Sequence, residues 1–288
     1  MSGVLQFGRR RGSGCFARLL LVVSAAAAST EGPAFADDAS VDRALAFLAK
    51  NQRGDGSFAA PAEAQPAVTA LAVMAFLSRG HVPGEGPYGK AIERAVDFTL
   101  SAQQANGMIS VLDRNTRPEY NHAISGLMLG EVYGMTTGEQ SARIGKAVPR
   151  AIAFTRTLQT MRKRNRRDLG GWRYIRPWGP NDSDLTATSW HLMFYRSARN
   201  AEFDVPGEYI DEATAYVRRC FDPEEKAFVY ALADDDEHYA SGGTVGGGIV
   251  ALAMGGEHHT EMAEAGSRWT LEHPFDTYNR RRHPDDRY

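Results

Sequence analysis

A repeated pattern limits the fold of this chain more than any other feature of its sequence. Three segments run from Arg-Ala through two residues to Phe, then to a Gln five positions later and to a Gly beside a large apolar residue. Self-similarity at a period of about 50 residues is typical of repeat architectures, in which one unit is stacked several times. Fainter copies begin at Ala213 and near Trp269. The repeat positions are Phe47, Gln52, Phe58, Phe98, Gln103, Phe154, Gln159 and Trp172.

A second kind of segment lies between the copies and is apolar on all sides. Its members are residues 68–78, 122–133, 187–197 and 244–254. Each exceeds ten residues without strict alternation, which favours helices over strands. Helices that are apolar all round are buried, whereas helices with a polar stripe lie outside. The chain is therefore predicted to alternate an outer amphipathic helix, a glycine-containing turn and an inner apolar helix.

These units predict the fold class. One hairpin cannot bury its own inner helix, so several must pack around a common centre. We expect an all-α protein, an α/α toroid of four to five outer–inner hairpins forming one domain over residues 37–288. The polar end of the chain after His273 supplies no further apolar helix. The ring is therefore expected either to stay open or to belong to a chain that is cut short.

The first 36 residues have the composition of a secretory signal peptide. A basic region containing Arg9 and Arg18 precedes the apolar run 19–28, and Ala34-Phe35-Ala36 forms a small-residue cleavage site. The run is too short to span a bilayer. We expect cleavage after Ala36, a secreted or periplasmic location and no transmembrane segment in the mature chain. An uncleaved anchor and an incorrectly assigned start codon are the alternatives.

Composition excludes several classes of function. The chain is 43% hydrophobic with a net charge of −2, which does not favour nucleic acid as a partner. Cys220 is the only cysteine after the signal segment, so we expect it to be a buried, inert thiol. The acidic run ending at Glu237 and the pair His258-His259 are interpreted as solvated loops. We expect no metal site and no cofactor.

Particular motifs carry a family resemblance. The pattern Arg-Ala-x-x-Phe-Leu-x-x-x-Gln-x-x-x-Gly-x-Phe, from Arg43 to Phe58, resembles the repeat of the prenyltransferase and squalene-cyclase superfamily. Gly170-Gly171-Trp172-Arg173-Tyr174 and the segments 184–190 and 120–124 are similar to the version in secreted bacterial proteins. The resemblance covers residues 40 to 275. It implies the toroid fold, which hosts cyclases, transferases and non-catalytic binding domains.

The resemblance also implies a candidate acid. Cyclases of this superfamily protonate an alkene with the Asp-x-Asp-Asp-Thr-Ala motif, and the nearest match here starts at Asp182. Asp184 takes the place of the proton donor, but Leu185 replaces the adjacent acid. The alternative role for Asp184 is a helix N-cap. The superfamily's zinc site lacks its aspartate, since Arg218 stands two residues before Cys220.

The direction of the inner helices predicts a candidate site. Parallel inner helices bring their positive N-terminal ends to one mouth. We expect His122 and Asp184, the candidate catalytic residues, near this mouth. The candidate ligand-binding residues are Tyr120, close to the mouth, and Trp190 and Met193, further down the third inner helix. Such a site suits a polar or anionic group above an apolar throat. The alternative is that His122 is a hydrogen-bonded core residue and Asp184 only a cap.

Three hypotheses about function are compatible with these features. The preferred hypothesis is an extracytoplasmic domain that binds an apolar ligand or a protein partner without catalysis. The alternative is a cyclase-like isomerase that protonates an isoprenoid through Asp184. A polysaccharide-degrading enzyme is the third, but no paired carboxylates occupy repeat-equivalent positions.

Overall fold

The computed structural model describes residues 38–111, 118–175, 181–233 and 237–274. The chain divides into two compact units, Met1–Val41 and Asp42–Tyr288. Only the opening residues of one helix are described in the first unit, and the packing reported below lies within the second. The predicted signal segment 1–36 and residues 234–236 of the acidic run lie outside the described residues.

The described residues are mostly helical, which confirms the all-α prediction. The inner apolar segments and the outer amphipathic segments of the sequence all fall within helices. The outer helices are α1 (Asp38–Lys50), α3 (Gly89–Ser101), α5 (Gly138–Gln159), α7 (Gly207–Arg219) and α9 (Glu261–Glu272). The inner helices are α2 (Ala67–Ser78), α4 (Pro118–Tyr133), α6 (Leu185–Asn200) and α8 (Gly242–Met254). A two-stranded antiparallel sheet pairs β1 (Phe221–Asp222) with β2 (Ala227–Phe228).

The inner helices pack against one another in chain order. Helix α4 lies between α2 and α6, and α6 packs in turn against α8. Every residue from Asn121 to Gly130 in α4 is buried. A methyl group at Gly126 would collide with the Phe194 ring of α6, so the glycine permits this close approach. Each inner helix also contacts the outer helix that follows it, whereas closure into a ring stays a prediction.

The side chain of the repeated glutamine forms hydrogen bonds that connect each turn to the next outer helix. The Gln52 side-chain amide donates to the carbonyl of Gly56 at 2.9 Å and to the carbonyl of Ala91, in α3, at 2.8 Å. Two buried or half-buried carbonyls are thereby satisfied by one side chain. The other two glutamines repeat both bonds, Gln103 to Gly107 and Ala147, and Gln159 to Gly170 and Tyr209.

The repeated glycine is required both by its backbone conformation and by close packing. Gly56 has a φ of 92°, and a Cβ there would collide with the backbone carbonyl of Arg94. Gly107 and Gly170 show the same φ region and the same collision with the next outer helix. In the fourth copy the position is taken by Lys226, whose φ is 53°. A non-glycine residue in this region is costly. The fourth copy is fainter in the sequence because it lacks this glycine.

The two aromatic positions of the repeat differ in burial. Phe58 and Trp172, which follow the turn glycines, are buried, and Ile109 takes this place in the second copy. The earlier phenylalanine of the pattern is not a core residue: Phe47 is 65% exposed, and Phe98 and Phe154 are half-buried. The residue after the turn therefore contributes more apolar burial than the phenylalanine that marks the repeat.

Candidate functional site

His122 occupies a repeated structural position at the start of its inner helix. In the first and third copies, Thr69 and Thr188 accept a hydrogen bond from the backbone N–H of the residue after the turn, each at 3.1 Å. In the second copy the acceptor is Nδ1 of His122, which bonds the N–H of Ile109 at 3.1 Å. His122 therefore replaces a threonine of the repeat.

The environment of His122 keeps the imidazole neutral. The side chain is fully buried, and burial lowers its pKa to about 3. Because Nδ1 accepts a hydrogen bond, the neutral ring carries its hydrogen on Nε2, which lies 2.9 Å from Thr155 Oγ1. The Phe154 ring packs edge-on at 4.9 Å. These contacts support a structural role for His122.

His191 is a second buried histidine, and it was not among the site residues predicted from the sequence. Its ring stacks on Trp172 at 4.9 Å with an interplanar angle of 9°, and it lies 5.9 Å from the His122 ring. Neither ring nitrogen has a hydrogen-bond partner among the described residues. Burial lowers the pKa of His191 well below its usual value. The only sequence signal was a titratable residue inside an otherwise apolar inner helix.

Asp184 is the N-cap of α6. Its Oδ1 accepts a hydrogen bond from the N–H of Ala187 at 2.7 Å, and its Oδ2 lies 3.6 Å from Nη1 of Arg173. The side chain is fully buried. Burial raises the pKa of Asp184 to about 6, although the N–H of Ala187 and the Arg173 guanidinium act in the opposite direction. Asp182, the first acid of the motif, is bonded instead to Arg164 at 2.6 Å.

Arg173 joins Asp184 to a second carboxylate that the sequence did not place there. Nη2 of Arg173 donates to Oε1 of Glu237 at 2.6 Å, and the Asn181 amide donates to Oε2 at 2.6 Å. The guanidinium lies 5.0 Å from the centre of the Tyr174 ring. The structure thus places one cation between two carboxylates at the start of α6. Arg173 and Glu237 are 64 residues apart, so only the fold reveals their pairing.

Tyrosine side chains surround this charged group. The ring centre of Tyr120, on the first turn of α4, lies 6.4 Å from the ring centre of Tyr174. The hydroxyl of Tyr174 lies 3.1 Å from the hydroxyl of Tyr230. The Tyr230 ring stacks on Tyr239 at 5.4 Å. All four are half-buried. Tyr120 therefore lies near the charged group of Asp184 and Arg173, whereas His122 is hydrogen-bonded to Ile109 and Thr155; a mouth shared by these residues stays a prediction.

The middle of α6 presents an apolar face that is partly open. Trp190 and Met193 are half-exposed, as is Thr186 one turn earlier, whereas Ser189, His191 and Leu192 are buried. Residues at spacings of four and three share one face of a helix. Partly open apolar positions recur on α2 at Leu71 (42% exposed) and on α8 at Val250 (40% exposed).

The remaining titratable candidates within the described ranges are Cys220 and the pair His258-His259. Within the described ranges, no group of three or more His, Cys, Asp or Glu side chains is placed to hold a metal ion. Cys220 is buried, and burial raises the pKa of its thiol to about 12. His258 and His259 contact each other at 4.2 Å and are exposed. Among the described helices, none combines the length and the apolar character needed to cross a bilayer.

The comparisons with protein families and with curated proteins found no match for this chain. The resemblance to the prenyltransferase and squalene-cyclase superfamily therefore rests on the repeat residues of the sequence and stays a prediction.

Proposed function

We propose that this domain binds an apolar ligand or a protein partner and performs no chemical step. The proposal includes export, with residues 1–36 removed as a signal peptide, and an α/α-toroid of the terpene-cyclase type. The environment of Asp184 carries the proposal, because Asp184 is the one residue that the resemblance nominates as a catalyst.

The chemistry of Asp184 argues against alkene protonation. An alkene is a very weak base, so its protonation requires an acid whose ionised form is strongly stabilised. The pKa of Asp184 is instead raised to about 6, which makes its carboxyl a weaker acid than an ordinary aspartic acid. The side chain has no exposed surface, and Oδ1 is already used as the cap of α6. Leu185 stands where the superfamily motif has a further acid.

The face of α6 defined by Trp190 and Met193 suits a binding role. Aromatic and methionine side chains that remain partly exposed beside a polar rim are typical of ligand and partner surfaces. We propose that the half-buried tyrosines around Arg173, including Tyr120 and Tyr174, act as this rim. These side chains combine large apolar surfaces with polar ends, which allows binding without a reactive group.

A neutral apolar dye tests this surface. We expect Nile red to bind the wild-type protein with enhanced fluorescence. Trp190→Ala should weaken its binding by about tenfold, since truncating a central aromatic contact typically costs more than about 1 kcal/mol of binding free energy. Trp269→Ala is the matched control, because Trp269 lies on the outer helix α9 and stacks on His273 at 4.0 Å.

Comparing the dye affinity of Trp190→Ala with that of Trp269→Ala shows whether the dye binds at the α6 face. Equal affinity in wild type and Trp269→Ala, with loss in Trp190→Ala, supports the α6 face as the binding surface. Unchanged affinity in Trp190→Ala, with both variants folded by circular dichroism, would contradict the proposal.

A further inference from the structure

A small cavity beside the start of α6 is not explained by the apolar binding face. Its volume is about 80 Å³, and it lies between the basic segment that follows α5 and the residues after Trp172. Its lining residues include Arg162, Lys163, Arg173 and Tyr174. Arg162 is exposed, so solvent reaches the cavity at this residue. Three cations therefore surround a space that is large enough for a small group.

Arg173 brings unpaired hydrogen-bond donors to this cavity. Its side chain is only 4% exposed, and Nη2 binds Glu237. Nε and Nη1, however, make no hydrogen bond to the described residues, and the Asp184 carboxylate that faces Nη1 lies beyond hydrogen-bond distance at 3.6 Å. Guanidinium carries one N–H on Nε and two on Nη1, so three donors of a buried cation are unpaired. Such donors are rare in folded proteins because leaving them unsatisfied is costly.

Lys163 adds a positive charge without a carboxylate partner. Its ammonium donates to the carbonyls of Gly171 at 3.0 Å and of Asp182 at 2.8 Å, which leaves its third N–H free. Lys163 forms no ion pair among the described residues, although the nearby charges of Asp168, Asp182 and Asp184 act to raise its pKa against the effect of burial. The Asp182 carboxylate also lines the cavity, but Arg164 binds it with a nitrogen–oxygen distance of 2.6 Å. The residues that line the cavity therefore carry three positive charges and one negative charge, and of the three cations Arg173 also contacts the carboxylates of Asp184 and Glu237, which are not among the lining residues.

We propose that this cavity binds a small oxyanion, a carboxylate or a phosphate group. The volume corresponds to about two or three water molecules, which is the space that such a group takes up. Oxygen acceptors would pair the free donors of Arg173, and arginine binds carboxylate and phosphate oxygens through just such N–H groups. The buried Asn181 amide, also among the lining residues, donates to Glu237 and accepts from the N–H of Ala233, so its polar atoms are already paired. This site does not depend on the apolar face of α6.

Calorimetric titration with inorganic phosphate and, separately, with propionate tests the site at constant ionic strength. We expect at least one of the two anions to bind wild type, with a millimolar dissociation constant. Lys163→Met should weaken binding by about tenfold, because it removes a poorly solvated charge but keeps the apolar stem. Arg162→Gln, at an exposed position that does not endanger the fold, should weaken it by about threefold. Arg166→Gln is the control, since Arg166 is an exposed residue of the same basic segment.

The two anions identify the source of the oxyanion. Binding of phosphate alone assigns a phosphate group to the cavity, and binding of propionate alone assigns a carboxylate. If neither anion binds wild type, or if Arg162→Gln and Lys163→Met bind as wild type does, the proposal is wrong. Because Nile red binding to the α6 face is measured separately, failure of one site does not imply failure of the other.

Discussion

Replacement of His191 by phenylalanine is predicted to stabilise the protein. The imidazole of His191 is fully buried, and it stacks on Trp172 with ring centres 4.9 Å apart. Its two nitrogens have no hydrogen-bond partner among the described residues, so the core contains one unpaired donor and one unpaired acceptor. A phenyl ring keeps the flat stacking surface and removes both polar atoms.

The size of the effect follows from two opposing contributions. Each unpaired buried polar group costs about 1–3 kcal/mol of folding free energy, so removing two is favourable. The phenyl ring is slightly larger than imidazole, and overpacking a dense core costs about 1–3 kcal/mol. We expect a net gain of about 1 kcal/mol in the free energy of unfolding, which raises Tm by about 2–4 °C in a domain of this size.

The pH dependence of stability supplies a second readout. Burial lowers the pKa of both His122 and His191 in the folded state. Below an unfolded-state pKa of about 6.5, the unfolded chain therefore binds protons that the folded chain does not, and stability falls with falling pH by up to about 1.4 kcal/mol per pH unit for each histidine. Between about pH 6 and pH 4, His191→Phe should therefore lose stability less steeply than wild type, because only His122 still contributes its slope of up to about 1.4 kcal/mol per pH unit.

His122→Phe is the matched control, because the same substitution there has the opposite effect on stability. It would leave the N–H of Ile109 and the hydroxyl of Thr155 without their present partner. We expect a loss of about 1–3 kcal/mol at pH 7. Urea unfolding of both variants at several pH values measures these changes. A destabilised His191→Phe protein, with an acid slope equal to that of wild type, would refute the reasoning about unpaired nitrogens.

Two further predictions concern the turn and the signal segment. Lys226→Gly should stabilise the fold by about 1 kcal/mol, because a φ of 53° is strained for lysine. Gly107→Ala should destabilise it by more than this, since the added Cβ would collide with the carbonyl of Arg150. Thermal unfolding of both variants measures these changes in stability. N-terminal sequencing of the exported protein should give Asp37 as the first residue, and a mature chain that retains Met1 would contradict the predicted cleavage.

The helices could be predicted because their signal is local. An apolar segment such as 68–78 is too long for a strand and too apolar for the surface, and it becomes α2. The glutamine and glycine of the repeat were likewise visible as a pattern. Their mechanism was not, since the bonds from Gln52 to Ala91 and from Gln103 to Ala147 connect a turn to an outer helix about 40 residues later.

The candidate site was predictable only in part. The alternative roles of Asp184 as a helix cap and of His122 as a hydrogen-bonded core residue follow from their places at helix starts, and the structure supplies the partners. The link from Arg173 to Glu237 depends on the packing of distant segments, so no local pattern indicates it. His191 was missed because a single polar residue in an apolar helix leaves the helix pattern unchanged.

Product analysis after incubation with squalene, and with shorter polyprenes, is the most direct test of a domain that binds without chemistry. The purified protein from Asp37 onward should return these substrates unchanged, because the buried Asp184 carboxyl has its pKa raised to about 6 and caps α6. An Asp184→Asn protein should then give the same result as wild type. A cyclised product formed by wild type and lost in Asp184→Asn would contradict a non-catalytic role and favour the cyclase alternative.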